Sequence, residues 1–158
     1  MNYIKGVHPS YKEQFDKLTT AYIEMRVNPY DACGCFVGNL LNSTKEWYFC
    51  KRTIIIQNFS ERNVNDEEIQ QAIASIEEES KGLYTPEEIT HLEKIFMYSI
   101  RGFGGATFWR NPTPAAEEVL FKGLEKTLNV LKSIHISKGE DVEGEFAFTK
   151  RINKSLTT

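Results

Sequence analysis

Five points along this chain put Ser, Thr or Asn directly ahead of apolar residues that recur at steps of three and four: Ser10, Asn28, Asn65, Thr85 and Thr113. No other feature restricts the fold so tightly. The first amides of a helix lack partners inside it, so a short polar side chain before the first turn, with a carboxylate nearby, marks a helix start. Ser10 with Glu13 has capping-box spacing, and Tyr11, Phe15, Leu18, Tyr22 and Met25 follow as one apolar stripe. Asn28, Pro29 and Asp31 open a second helix, with Cys33, Phe36, Val37, Leu40 and Leu41 as its inner face. Asn65 with Glu68 opens a third, striped by Ile69, Ala72, Ile73 and Ile76, with Gly82 at its close. Thr85, Pro86 and Glu88 lead into Ile89, Leu92, Ile95, Phe96, Ile100 and Phe103. The last helix starts at Thr113-Pro114 and carries Val119, Leu120, Leu124, Leu128, Leu131 and Ile134 to a stop near Gly139. At 1.5 Å per residue it spans roughly 36 Å, the width of the whole domain.

Two segments depart from this period. Residues 47–57 contain the β-branched run Thr53-Ile54-Ile55-Ile56, and in 142–149 Phe146 and Phe148 alternate with other residues. They are candidates to pair as one short two-stranded ribbon. The reading is thus a mainly α, single-domain bundle of about five helices over residues 1–149, with 150–158 as a flexible C-terminal tail.

Charge and cysteine usage narrow the partners. Nineteen basic and 22 acidic side chains leave a net charge of −3, which gives no general attraction to a polyanion, so nucleic acid is not an expected partner. Three cysteines are an odd count, and no apolar signal segment leads the chain, which points to reduced thiols in a cytoplasmic setting. No apolar run approaches the roughly 20 residues of a membrane span. No membrane association is expected.

Each candidate for chemistry competes with a plainer role. Cys33 and Cys35, two apart on a helix, point away from each other, and Cys50 has no partner at zinc-ribbon spacing, so no metal is expected. Gly34 and Gly38 lie one turn apart and suit close helix packing, including packing between copies in a homo-oligomer. Glu88-Ile89-Thr90-His91 matches the Glu-x-x-His element of di-iron bundles. It stands alone, because Lys132 occupies the place three before His135, and His91 falls on the water side of its helix. The runs Asp66-Glu67-Glu68 and Glu77-Glu78-Glu79 read as solvated surface. His135 lies on the inner stripe near a helix C-terminus, where the partial negative charge favours imidazolium, and its plainer identity is a satisfied core or boundary histidine. Paired with a carboxylate, it is the basis of an enzyme reading, although no nucleophile elbow, phosphate loop or His-Glu-x-x-His accompanies it.

The segment from Arg101 to Arg110 combines three kinds of ligand contact. Gly102, Gly104 and Gly105 offer backbone amides, Arg101 and Arg110 offer bidentate grips, and Phe103, Phe108 and Trp109 offer flat faces for stacking. The following helix starts close by, with its positive end available to the same anion. Three functions follow as expectations. The first is a non-catalytic protein, without a cofactor, that binds a small anionic, nucleotide-like ligand or a protein partner. The second is a homo-oligomeric structural or adaptor protein acting through helix faces. The third is an enzyme built on His135 and a carboxylate.

The run Asn-Pro-Tyr-Asp-Ala-Cys-Gly-Cys-Phe-Val-Gly-Asn-Leu-Leu-Asn over residues 28–42 resembles small helical proteins of phages and mobile elements that carry no assigned function. The resemblance covers under a tenth of the chain. It implies an accessory role of that kind and neither sites nor an activity.

Overall fold

A computed structural model describes residues 2–27, 35–42, 67–100 and 113–150. Among them the regular structure is five helices and no strand. These are α1 (Tyr11–Ile23), α2 (Phe36–Leu40), α3 (Glu67–Ser80), α4 (Pro86–Ser99) and α5 (Pro114–Ser137). The starts are those the capping residues announce. Ser10 accepts from the Glu13 amide, Thr85 and Glu88 form a reciprocal capping box, and Thr113 accepts from the Ala116 amide. Pro86 and Pro114 occupy first-turn positions where no amide is needed.

The second helix differs from its expected form. Within the described residues it is a single short element whose N-cap is Cys35, in extended backbone, with Sγ accepting from the Gly38 amide at 3.2 Å. Cys35 therefore closes a helix end and does not sit within a helix beside Cys33. Asn28, Cys33, Gly34 and Cys50 lie outside the described residues. Gly38 is buried within α2, so its share of the small-residue face is used inside the chain and not on an external surface.

The stripes meet in one core. The most extensive pairing is α4 on α5, with α1 against α2 and α5, α2 against α4, and α3 against α4. Leu18, Tyr22, Phe36, Leu92, Phe96, Leu120, Leu124 and Leu131 are fully enclosed. At the α4–α5 crossing a Cβ added to Gly123 would stand 2.7 Å from Cγ2 of Ile100 and 3.3 Å from Cβ of Ser99. Alanine in an exposed helix gains about 1 kcal/mol over glycine. Here the overlap with a β-branched neighbour outweighs that gain, since overpacking costs about 1–3 kcal/mol. Gly123→Ala is therefore expected to lower the denaturation midpoint, and a raised midpoint would show that the two helices separate at little cost.

Two expectations are corrected. Met25 leaves the α1 stripe, because the helix stops at Ile23 and Met25 turns into the left-handed region at φ 61, 42% exposed. Hydrogen bonds from Met25 N to Tyr22 O (3.1 Å) and from Arg26 N to Ala21 O (2.7 Å) complete a Schellman turn without glycine. Residues 142–149 form no strand. Their alternating aromatics instead plug the groove over α1: Phe146 sits edge-on to Tyr11 and Phe15, and Phe148 sits edge-on to Phe15 and Tyr22. The proposed pairing partner, 47–57, lies outside the described residues, as do residues 151–158 of the expected tail. Lys150, the first residue assigned to that tail, is held by Glu118 of α5 at 2.6 Å. No helix among the described residues is long and apolar enough to cross a membrane.

Candidate functional site

The last turn of α5 gathers a connected cluster of buried polar groups. His135 continues the inner stripe of Leu124, Leu128 and Leu131 and is 0% exposed. One turn later Gly139, at φ 98, reverses the chain, and the Glu140 amide bonds back to the His135 carbonyl at 3.1 Å. Glycine tolerates that left-handed conformation at no steric cost. The reversal lays the Glu140 side chain over the imidazole, with Oε1 3.1 Å from Nδ1.

The direction of each hydrogen bond follows from what Glu140 can do. An ionised carboxylate only accepts, so His135 Nδ1 carries the proton and donates to it. Nε2 is then an acceptor and takes the Tyr84 O–H at 2.6 Å. Tyr84 Oη in turn accepts from Gln14 Nε2 at 3.2 Å. At the other end both Glu140 oxygens accept the Tyr11 amide, at 3.0 and 3.1 Å, which fastens the first residue of α1 to the chain beyond α5. Gln14 and Tyr11 come from α1, Tyr84 from the turn between α3 and α4, and His135 and Glu140 from the end of α5.

Burial sets the protonation states. It pushes the His135 imidazole below its ordinary 6.5, although Glu140 pulls the other way. Enclosed and hydrogen-bonded through both ring nitrogens, His135 is a satisfied core histidine, and desolvation outweighs the carboxylates of Glu140 and Glu88 that favour its charged form. Burial also raises the Tyr84 phenol far above its usual value and pushes Tyr11 up to about 12. Tyr11 stands edge-on to the imidazole, 5.9 Å between centroids, and donates its O–H to the Leu128 carbonyl at 3.2 Å. Lys138 closes the outside, reaching the Leu83 carbonyl at 2.9 Å and Glu88 at 2.8 Å. His135 thus has its carboxylate but no opening to a substrate.

Two open clefts flank this cluster, and Tyr3 borders both. The larger, about 670 Å³, lies between residues 3–10, α1 and the ends of α2 and α3, with Lys5, Lys17, Lys81, Glu13 and Glu79 supplying its charges. Gln14, 3% exposed, lines its floor. Lys17 is partly committed: its ammonium, pulled down in pKa by burial, donates to the Leu40 carbonyl at 2.8 Å and to Asn42 Oδ1 at 3.1 Å. His8 holds the opposite wall, accepting the Ile4 amide on Nδ1 at 2.8 Å and so donating from Nε2 to the Lys81 carbonyl at 3.1 Å. The second cleft, about 660 Å³, is acidic, with Glu140, Asp141 and Glu143 against Lys5 and Lys12.

Of the residues singled out in the sequence, Arg101, Gly102, Phe103, Gly104, Gly105, Phe108, Trp109 and Arg110 all lie outside the described residues. His91 faces solvent, as do Glu77 and Glu78. No group of three or more His, Cys, Asp or Glu among the described residues is placed to hold a metal ion. Two buried acids escaped the sequence reading. Glu93 is 0% exposed and its Oε2 is 3.3 Å from the Val37 amide, while Glu117 is 2% exposed and accepts the Tyr22 O–H at 2.8 Å. The signal was present, because 93 lies four after Ile89 and 117 lies three before Leu120, both on the apolar stripes. No family model matches the chain, and neither a curated protein nor a solved structure is detectably similar to it.

Proposed function

We propose that this is a non-catalytic binding protein that takes a small anionic ligand in the larger cleft. The observation that carries the reading is the cleft's charge: three lysines face two glutamates there, in a chain whose net charge is −3. A local excess of ammonium groups on a net acidic protein is an attraction confined to one place. The concavity matches the usual size of a small-molecule site, about 300–1,000 Å³. Gln14, hydrogen-bonded from behind to Tyr84, supplies a polar group at the floor. The sealing of His135 supports binding over chemistry at this end of the bundle.

Calorimetry with inorganic phosphate, nucleotides and dicarboxylates tests the reading. At least one is expected to give saturable heat, and Lys5→Ala with Lys81→Ala is expected to weaken it about tenfold, which is ~1.4 kcal/mol. Arg110→Ala should leave it unchanged. Loss of binding in Arg110→Ala alone would move the ligand to the 101–110 segment, and no heat with any compound would retire the ligand reading.

A further inference from the structure

We propose that the chain Gln14–Tyr84–His135–Glu140 is a reversible hydrogen-bond relay that reports protonation of His135 at the larger cleft, by exchanging the acceptor Gln14 presents there for a donor. With a neutral imidazole every bond in the chain points one way. Gln14 N–H donates to Tyr84, Tyr84 O–H donates to His135 Nε2, and His135 Nδ1–H donates to Glu140. The Gln14 amide nitrogen is thereby turned inward, and its Oε1 is the amide atom left on the cleft side.

A proton added to His135 goes to Nε2, since Nδ1 already carries one. Nε2–H then needs an acceptor, and Tyr84 Oη, at 2.6 Å, is the group it faces. The Tyr84 hydroxyl proton loses its acceptor at the same moment and must find another inside a buried site. The Gln14 amide meets that need by rotating half a turn about its last bond, which puts Oε1 where Nε2 stood, 3.2 Å from Tyr84. The same rotation carries the NH₂ group to the cleft. The number of hydrogen bonds is conserved, and the only covalent change is the N–H bond that the added proton forms on His135 Nε2.

The surroundings allow uptake on the acid side of neutrality. Glu140 and the more distant Glu88 of α4 favour the added charge, Lys138 at the end of α5 opposes it, and α1 contributes Tyr11, which stays neutral. Burial holds uptake below the ordinary histidine value of 6.5. The use of the relay at the cleft rests on the binding reading above: an anion there meets an amide oxygen at neutral pH and an amide N–H in acid, so its affinity rises on acidification. The operation of the relay is measured without any ligand.

Nuclear magnetic resonance of the ¹⁵N-labelled full chain from pH 7.5 to 5 provides the test. At neutral pH His135 is expected as the Nδ1–H tautomer. As it takes up a proton, the Gln14 side-chain amide signals should shift with the same midpoint, while those of the exposed Gln70 and Gln71 stay still. In Tyr84→Phe the imidazole should still titrate and Gln14 fall silent. The relay is overturned if wild-type Gln14 is unmoved while His135 titrates, if the neutral tautomer is Nε2–H, or if the chain unfolds before His135 is protonated. It is equally overturned if Gln14 still responds in a folded Tyr84→Phe.

Discussion

Replacing His135 by alanine is expected to lower the unfolding free energy by about 3–4 kcal/mol in chemical denaturation at neutral pH. The imidazole is fully enclosed, so its removal leaves a cavity at the end of α5. It also leaves the buried Tyr84 hydroxyl proton without its acceptor, while Glu140 Oε1 keeps the Tyr11 amide, and an unsatisfied buried polar group costs about 1–3 kcal/mol. A loss below about 1 kcal/mol would mean that water or a neighbouring side chain replaces the ring. The same variant changes the pH profile. The native imidazole titrates below 6.5 and the unfolded one at its ordinary value. Below 6.5 the unfolded chain therefore binds more protons than the folded one, and wild-type stability falls as pH drops from there to the native value. That part of the slope should disappear in His135→Ala.

Phe96→Ala is expected to cost about 3–5 kcal/mol, the upper range for removing a buried aromatic ring. Phe96 is 0% exposed on α4 and packs on Phe36 of α2, ring centroids 5.8 Å apart and tilted by 37°. The void opens on the buried face of α4 that meets α2, in the helix that also touches α3 and α5. Tyr98, two residues on and 63% exposed, is the control, and its replacement by alanine should change stability by less than about 1 kcal/mol. Similar losses at both positions would contradict the packing described.

The helices were legible because local rules decide them. Ser10, Thr85 and Thr113 each announce a first turn through a bond closed within three residues, and the stripes behind them need only a period to be seen. What failed depended on distant partners. Met25 has the right spacing for the core, but the reversal after Ile23 removes it, and nothing in the residue type announces a left-handed methionine. Cys35 looks like half of a thiol pair and serves as a cap. Phe146 and Phe148 alternate as a strand would, yet the alternation serves two ring sockets on α1 and α5. Glu93, Glu117 and His135 interrupt apolar stripes, and a period alone cannot name their partners. Tyr84 and His135 are 51 residues apart in sequence, so only the assembled bundle brings them together. The Arg101–Arg110 segment carries the strongest ligand chemistry in the sequence, whereas the described site is built from commonplace residues whose significance lies in their direction.

The bond between the Tyr11 amide and Glu140 bridges 129 positions of sequence. A ribosome adding about 5–20 residues per second needs on the order of ten seconds to make the second partner after the first. Throughout that interval α1 has its Ser10 cap but no Glu140 carboxylate over its opening amide, and the aromatic face later covered by Phe146 and Phe148 stands bare. Completion of the fold is in this way tied to the arrival of residues 140–148, and a chain interrupted before them presents a greasy, half-fastened helix to whatever quality control it meets.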